Sequence, residues 1–417
     1  MAADTESLEE MENGERAHEE GHRLLSNAKA SASLEVENPS DGFESKTKSK
    51  RRKLITTVSV VSAAILLIVV VVSLVVRPQS AEDRIRALCK ADANELFDLL
   101  HPEHYSVSLE LLAPTQPQAE DERFNGFVHM EGALSKSSKC IALHGVDIKV
   151  HTVEILSGNS SKIGSAVHTL SDLLVFAAED GNTFSAGRVS LSVSYDGAYG
   201  KGFGLYKADF RSRSEAVTAT QFETVGARRA FPCLDKPAAK AKFTVSLNVP
   251  MDEGLVALSN MEANRVEEEG DRATHHFGVT PVMSTYLVAV AVGRFNSVES
   301  QTESSMAVRV WATAEHDAKH LSVPAEASVK ALEFYESYTN FTLPFAKMDL
   351  VAVPGRGGAM ENWGLLLMDE PRFLWNGDDE GYYGTLETMN VICHEVAHQW
   401  FGNLVTCTDW EVRMLTP

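Results

Sequence analysis

His394 and His398 stand four positions apart in the stretch ICHEVAHQWFG, and Glu395 directly follows the first of them. On a helix, positions i and i+4 share a face, so two imidazoles at this spacing can reach one metal ion. Zinc suits such a pair. A carboxylate one residue on from the first ligand sits beside the metal, where it can take a proton from the attacking water. The chemistry is metal-assisted hydrolysis with Glu395 as general base. Two more acids lie upstream: Glu361 within GGAMENWG and Glu223 within QFETVGARRAFPCLDKP. Each taken alone is ordinary, Glu361 a solvated loop acid and Glu223 an acid at a strand edge.

These side chains need elements to hold them. TLETMNVICHEVAHQWFG reads as a long helix, with Met389, Ile392, Val396 and Trp400 recurring on one side. Leu321 to Phe341 reads as another, with Pro324 near its start. Between them, KMDLVAVPGRGGAMENWGLLLMDEP sets strand-like runs around a glycine-rich turn. Before them, from 98 to 304, short alternating stretches such as YSVSLELL, RVSLSVSY and AKFTVSLNVP predict an all-β domain, a sandwich or saddle. No internal repeat stands out.

The composition is that of a globular chain, and the net charge of −20 repels phosphate backbones, which excludes nucleic acid as a partner. Five cysteines without a CxxC pair exclude a cysteine-built zinc site or a disulfide scaffold. Leu54 to Val76 is uncharged, and its 23 residues would span roughly 34 Å as a helix, against ~30 Å of hydrocarbon. KTKSKRRK precedes it and Arg77 alone follows, so the positive-inside rule keeps the N-terminus in the cytosol. The expected layout is a disordered tail (1–53), a signal anchor (54–76), a helical stalk (77–97), the β domain (98–304) and a second domain (305–417). In the tail, EGHRLL matches an acidic dileucine sorting signal, and Asn159 and Asn340 begin N-glycosylation triplets.

QFETVGARRAFPCLDKP, GGAMENWG and HEVAH follow one another in an order that resembles the zinc aminopeptidases combining a GAMEN motif with HExxH. That family includes aminopeptidase N and the oxytocinase or insulin-regulated aminopeptidases. The resemblance runs from about Leu99 to Thr408. It implies an α+β multidomain protein: a membrane-anchored N-terminal helix, the β saddle or sandwich, then the start of a thermolysin-like α/β zinc-peptidase domain. It implies a metalloaminopeptidase that releases single N-terminal residues, with one zinc ion per complete site. His394 and His398 become metal ligands and Glu395 the catalytic base. Glu361 and Glu223 become anchors for the substrate ammonium, through charge-assisted hydrogen bonds. Gly358, Ala359, Met360 and Asn362 line the substrate path, where small residues permit close approach. A glutamate at 223 resembles the oxytocinase branch. The implied setting is a type II membrane glycoprotein of the plasma, endosomal or secretory membranes, with its catalytic side extracellular or lumenal. Its partners are peptides with a free N-terminus, and a homodimer is compatible with it.

Two departures matter. Lys236 stands where the family has an acid, and is expected to be a surface change. The third zinc ligand of the family, a glutamate, would fall at Pro417, which cannot ligate. The downstream tyrosine of the family is absent as well. Asp409 and Glu411 lie too near His398 to substitute easily, and Leu404 rules out a third histidine six positions on. The expectation is therefore an inactive fragment of an active aminopeptidase. The alternative is a non-catalytic membrane-anchored binding module, or a dominant-negative isoform. An endopeptidase of thermolysin type is disfavoured, because an anchored ammonium leaves no room upstream of the cut.

Overall fold

Two capping boxes open the described part of the chain. Ser80 and Asp83 exchange hydrogen bonds of 3.1 and 3.2 Å to start α1 (Ala81–Cys89), and Asp92 and Glu95 exchange bonds of 2.9 and 3.1 Å to start α2 (Ala93–Leu99). The computed structural model describes residues 80–114, 122–158, 161–179, 181–208, 216–375 and 381–412. All fall in one unit, Gln79–Pro417. The expected cytosolic tail, its dileucine, the span at Leu54–Val76, Asn159 and Pro417 lie outside the described residues. Among the described residues no helix is long and apolar enough to cross a membrane.

The segment expected to be a stalk is helical and docked. Ile85, Cys89, Leu96 and Phe97 are buried, a disulfide joins Cys89 to Cys140, and Phe97 stacks on His144 with ring centroids 4.3 Å apart. Lys236 takes part in this contact: it is half-buried, with Nζ 4.9 Å from the centre of the Phe97 ring. The aromatic face accommodates its charge, so the lysine is more than a surface change.

The strands then follow: β1 (Leu100–Glu110), β2 (Arg123–Leu134), β3 (Cys140–His144), β4 (Ile148–Ser157), β5 (Ser161–Ile163), β6 (Ser165–Leu170), β7 (Leu173–Ala178), β8 (Gly187–Ala198), β9 (Gly204–Ala208), β10 (Val217–Gln221), β11 (Lys242–Pro250), β12 (Leu255–Ser259), β13 (Ala263–Glu269), β14 (Arg272–Phe277) and β15 (Val290–Gln301). An eight-stranded sheet has the order β13-β14-β11-β1-β2-β8-β4-β5, and β3-β7-β6 form a smaller one. In β1, Tyr105, Val107 and Leu109 point inward while Ser108 and Glu110 face out, the period-2 pattern that fixes register. β1 pairs in parallel with β11, which sets Tyr105 opposite Phe243 with rings stacked at 5.2 Å.

The second large sheet carries the site. It comprises β16 (Ala307–Thr313), β17 (Lys347–Val353) and β18 (Leu365–Asp369) beside β15, β10 and β9, in the order β18-β17-β16-β15-β10-β9 with β12 also on β15. β16, β17 and β18 are parallel, and α3 (Ala318–Thr339) crosses from β16 to β17. β17 and β18 are buried at every position, which is why LVAV and LLLM read as apolar runs, while Lys347 and Asp349 at the start of β17 are buried as an ion pair. This sheet runs through the boundary expected at 304: β15 and β16 pair antiparallel from Phe295–Thr313 to Gln301–Ala307.

After β18 come the short α4 (Glu370–Phe373) and the long α5 (Gly381–Ala397). Ile392, Val396 and Trp400 are buried as expected, but Met389 is 41% exposed. The N-terminal half of α5 buries Thr388 and leaves Leu386 and Met389 outward. The apolar stripe read along the whole helix therefore serves as core only from Ile392 onward.

Candidate active site

α5 ends just before His398, and that ending shapes the site. The chain tightens into turns, with Trp400 N–H and Phe401 N–H both donating to the Ala397 carbonyl at 3.1 and 3.0 Å. This brings the Phe401 carbonyl back onto His398, whose Nδ1–H donates to it at 3.0 Å. The bond leaves Nε2 as the lone-pair nitrogen, the arrangement a metal-binding imidazole needs. His394 Nε2 lies 3.1 Å from His398 Nε2. Two nitrogens bound tetrahedrally at ~2.0–2.1 Å from one zinc lie about 3.4 Å apart, so the pair fits such an ion. Burial lowers the pKa of both histidines, which favours the neutral, ligating form; the neighbouring imidazole adds to this at His394, while the Phe401 carbonyl and Glu223 oppose it at His398.

Glu395 is 6% exposed, and its Oε2 is buried without a hydrogen-bond partner. Burial first, and the nearby Glu361 charge second, push its pKa up to about 8, with Arg356 pulling the other way. Such a carboxylate suits proton transfer near neutrality.

Glu361 is held by its backbone. The turn from β17 carries positive φ at Gly357 and Gly358, and no atom lies within 4 Å of where a Gly358 Cβ would stand. Met360 pairs with Leu367 through bonds of 2.8 and 3.0 Å, and Asn362 Nδ2 reaches the Tyr286 carbonyl at 3.4 Å. Gly364 closes the segment; a Cβ there would meet the Asn260 carbonyl at 2.3 Å. Lys347 fixes that end. Its buried Nζ donates to the Ser259 and Gly364 carbonyls at 2.6 and 2.7 Å, and pairs with Asp349 at 2.7 Å.

Glu223 follows β10, and its carbonyl accepts from Gln221 Nε2 at 3.3 Å. Glu223 and Glu361 both act on Tyr286, raising its pKa beyond what burial alone does, and both act on Glu395. The fold thus gathers Glu223, Glu361, Glu395 and the two histidines around one locus. A cleft of about 300 Å³ reaches this locus at His394 and Glu395, between Gly358, Ala359 and Asn390, without Glu223, Glu361 or His398 in its lining. A larger hollow of about 520 Å³ lies on the eight-stranded sheet around Ser108, Phe127 and Arg272, and contains none of these residues.

Four participants were not legible as site residues. Gln399 and Asn403, both fully buried, donate to the Glu361 carbonyl at 3.0 and 2.7 Å and so lock the loop to the helix end. Lys240 donates to the Asn403 and Leu404 carbonyls at 3.0 and 3.1 Å, and Tyr286 to the Gly402 carbonyl at 3.2 Å. The only sequence signal was the placement of Gln399 and Asn403 inside an apolar stretch. Among the described residues no group of three His, Cys, Asp or Glu side chains could hold a metal ion. Asp409 and Glu411 are exposed, with Asp409 Oδ1 accepting from Glu411 N–H at 3.2 Å. Asn340 is exposed at the left-handed C-cap of α3.

Comparison with known proteins agrees with this geometry. The peptidase M1 N-terminal domain family matches residues 101–287, and the peptidase family M1 domain matches residues 323–416. Endoplasmic reticulum aminopeptidase 2 of Bos taurus is 40% identical over 230 residues, covering 54% of this chain and 24% of that protein. Aminopeptidase M1-C of Oryza sativa subsp. japonica is 33% identical over 313 residues, covering 74% and 34%. Aminopeptidase N of Lactobacillus helveticus is 30% identical over 319 residues, covering 76% and 36%. The chain spans roughly a quarter to a third of the length of these curated relatives. The two matches take in the β domain with Glu223 and the helix with its paired histidines, and the chain belongs to the peptidase M1 family.

Proposed function

We propose that the chain carries the base, the ammonium anchors and two metal ligands of a zinc aminopeptidase that removes single N-terminal residues from peptides. The observation that carries this reading is the buried Glu395 carboxylate, its Oε2 without a hydrogen-bond partner, beside two convergent imidazoles. His394 and His398 would hold the ion, which when bound supplies Lewis-acid polarisation of the scissile carbonyl and a more acidic water. Glu361 and Glu223 hold the substrate ammonium. Glu395 accepts the proton of the attacking water as its oxygen joins the carbonyl carbon. It then returns that proton to the leaving nitrogen as the C–N bond breaks.

Among the described residues, His394 and His398 are two of the three donors a catalytic zinc site normally needs. The alternative reading is a non-catalytic, membrane-anchored module that binds peptides without turning them over. Placement in the membrane as a type II protein, with the site on the extracellular or lumenal side, is supported by the uncharged run at Leu54–Val76 and by the Cys89–Cys140 disulfide, which favours an oxidising compartment.

The test is zinc content, aminoacyl-amide hydrolysis and peptide binding of the full chain, beside a Glu395→Gln control. The expected result is substoichiometric zinc, no turnover above the control, and binding of free but not N-acetylated peptides. Stoichiometric zinc with Glu395-dependent turnover would mean that Asp409 or Glu411 completes the site. Equal binding of free and acetylated peptides would overturn the ammonium assignment.

A further inference from the structure

Arg356 lies in the glycine-rich turn between β17 and Glu361, and its guanidinium is held by neutral groups. Nη1 donates to the Tyr206 hydroxyl at 3.0 Å and to the Thr220 carbonyl at 3.1 Å, and Nη2 donates to Gln221 Oε1. Nε–H is buried and has no acceptor. A guanidinium keeps its charge at any working pH. Three bonds therefore fix a cation in place, and of its five N–H donors two are left over, the buried Nε–H among them. Buried polar groups nearly always find partners, so the orphan needs a reason.

Its position suggests one. Gln221, which receives Arg356, also donates through Nε2 to the Glu223 carbonyl at 3.3 Å and approaches Met360 Sδ at 3.6 Å. Arg356 is thus one side chain removed from Glu223 and from the residue before Glu361. The side chain is partly exposed although its Nε is covered. A fixed cation one side chain away from the backbone that carries the carboxylates assigned to an ammonium complements a ligand with the opposite arrangement: an ammonium and, a few bonds away, a carboxylate. The N-terminal residue of a peptide has that form when it is aspartate or glutamate. The planar guanidinium fork also matches a carboxylate better than any uncharged side chain.

We propose that Arg356 selects peptides with an acidic first residue, receiving the side-chain carboxylate while Glu361 and Glu223 hold the ammonium. This rests on the ammonium assignment made above. The competing role for Arg356 is to offset the surrounding carboxylates, in which case it acts alike on every first residue.

The experiment measures binding of three α-amides to the full chain by calorimetry: glutamic acid α-amide, leucinamide and lysinamide. N-acetylated glutamic acid α-amide is the fourth probe. We expect glutamic acid α-amide to bind about tenfold or more tighter than leucinamide, lysinamide to bind weakest, and the acetylated probe not to bind. Arg356→Gln should bring the glutamyl and leucyl amides within twofold, and Arg356→Lys should keep part of the preference. Equal binding of the glutamyl and leucyl amides to the unaltered chain, with the acetylated probe still excluded, overturns the role of Arg356 and leaves the ammonium assignment standing. The same ranking in Arg356→Gln, checked for its melting temperature, also overturns it. Binding of the acetylated probe, or saturable binding by none of the amides, counts against both. The ranking in the unaltered chain decides the matter even if the variant does not fold.

Discussion

Asn403 donates from Nδ2 to the Glu361 carbonyl at 2.7 Å, and Gln399 donates to the same oxygen at 3.0 Å. Two side chains from the turn that follows His398 thereby hold the backbone of the acid expected to bind an ammonium. The helix that carries His394 and the loop that carries Glu361 are tied together, although 38 and 42 residues separate the partners in sequence.

Asn403→Leu removes one of these donors and buries an apolar group against a carbonyl. The cost should be about 1–3 kcal/mol, read as a lower urea midpoint with an unchanged slope. Free-amine peptides should bind more weakly in proportion to the misplacement of Glu361. A variant as stable as the parent would show that the bond does not hold the loop.

His144 supplies a pH test of the fold. It is 5% exposed, stacks on Phe97, and accepts the Asp235 N–H through Nδ1 at 3.1 Å. Burial first, then the Arg228 and Lys236 charges, push its pKa from 6.5 down to about 3. Below the unfolded value the unfolded chain binds a proton that the folded chain refuses, so unfolding becomes easier as pH falls. Its contribution is full above about 6.5 and is lost progressively toward about 3, at no more than about 1.4 kcal/mol per pH unit. Unfolding free energies compared at about pH 7 and pH 5 should fall less in His144→Phe than in the parent. Parallel lines for the two proteins would contradict the buried, neutral histidine.

What the sequence made legible was local and periodic. Tyr105, Val107 and Leu109 alternate inward as read, and Ile392, Val396 and Trp400 face the core. His394 and His398 meet because a helix places i and i+4 together. Met389 fits the same period yet is exposed, since burial depends on what packs against each half of the helix. The docking of α1 and α2 was hidden for the same reason: it is fixed by Phe97 on His144 and by a bridge to Cys140, partners that spacing does not reveal. Arg356, Gln399 and Asn403 looked like turn and helix-end polar residues, and only the folded contacts bring them to the site.

Lys347 is buried at the end of the substrate loop, where it pairs with Asp349 at 2.7 Å and donates to Ser259 and Gly364. Burial lowers its pKa while Asp349 opposes the shift. Lys347→Met removes a donor from the Ser259 and Gly364 carbonyls, of which Gly364 keeps the Asp349 N–H at 3.1 Å, whereas Asp349 keeps Arg309 at 2.7 Å and Trp311 at 3.0 Å. The loss should be about 3 kcal/mol, measured by denaturant unfolding. A loss below about 1 kcal/mol would show that water or another donor replaces the ammonium.

The central claim is that His394 and His398 form one metal-binding pair and that Glu395 stands beside the ion without ligating it. Titration of the full chain with cobalt(II), followed by its visible absorption, tests this without requiring turnover. The account predicts weak binding that falls about tenfold or more in His394→Ala and in His398→Ala, and that stays near the parent value in Glu395→Gln. Unchanged binding in either histidine variant, or a loss in Glu395→Gln as large as theirs, would contradict it.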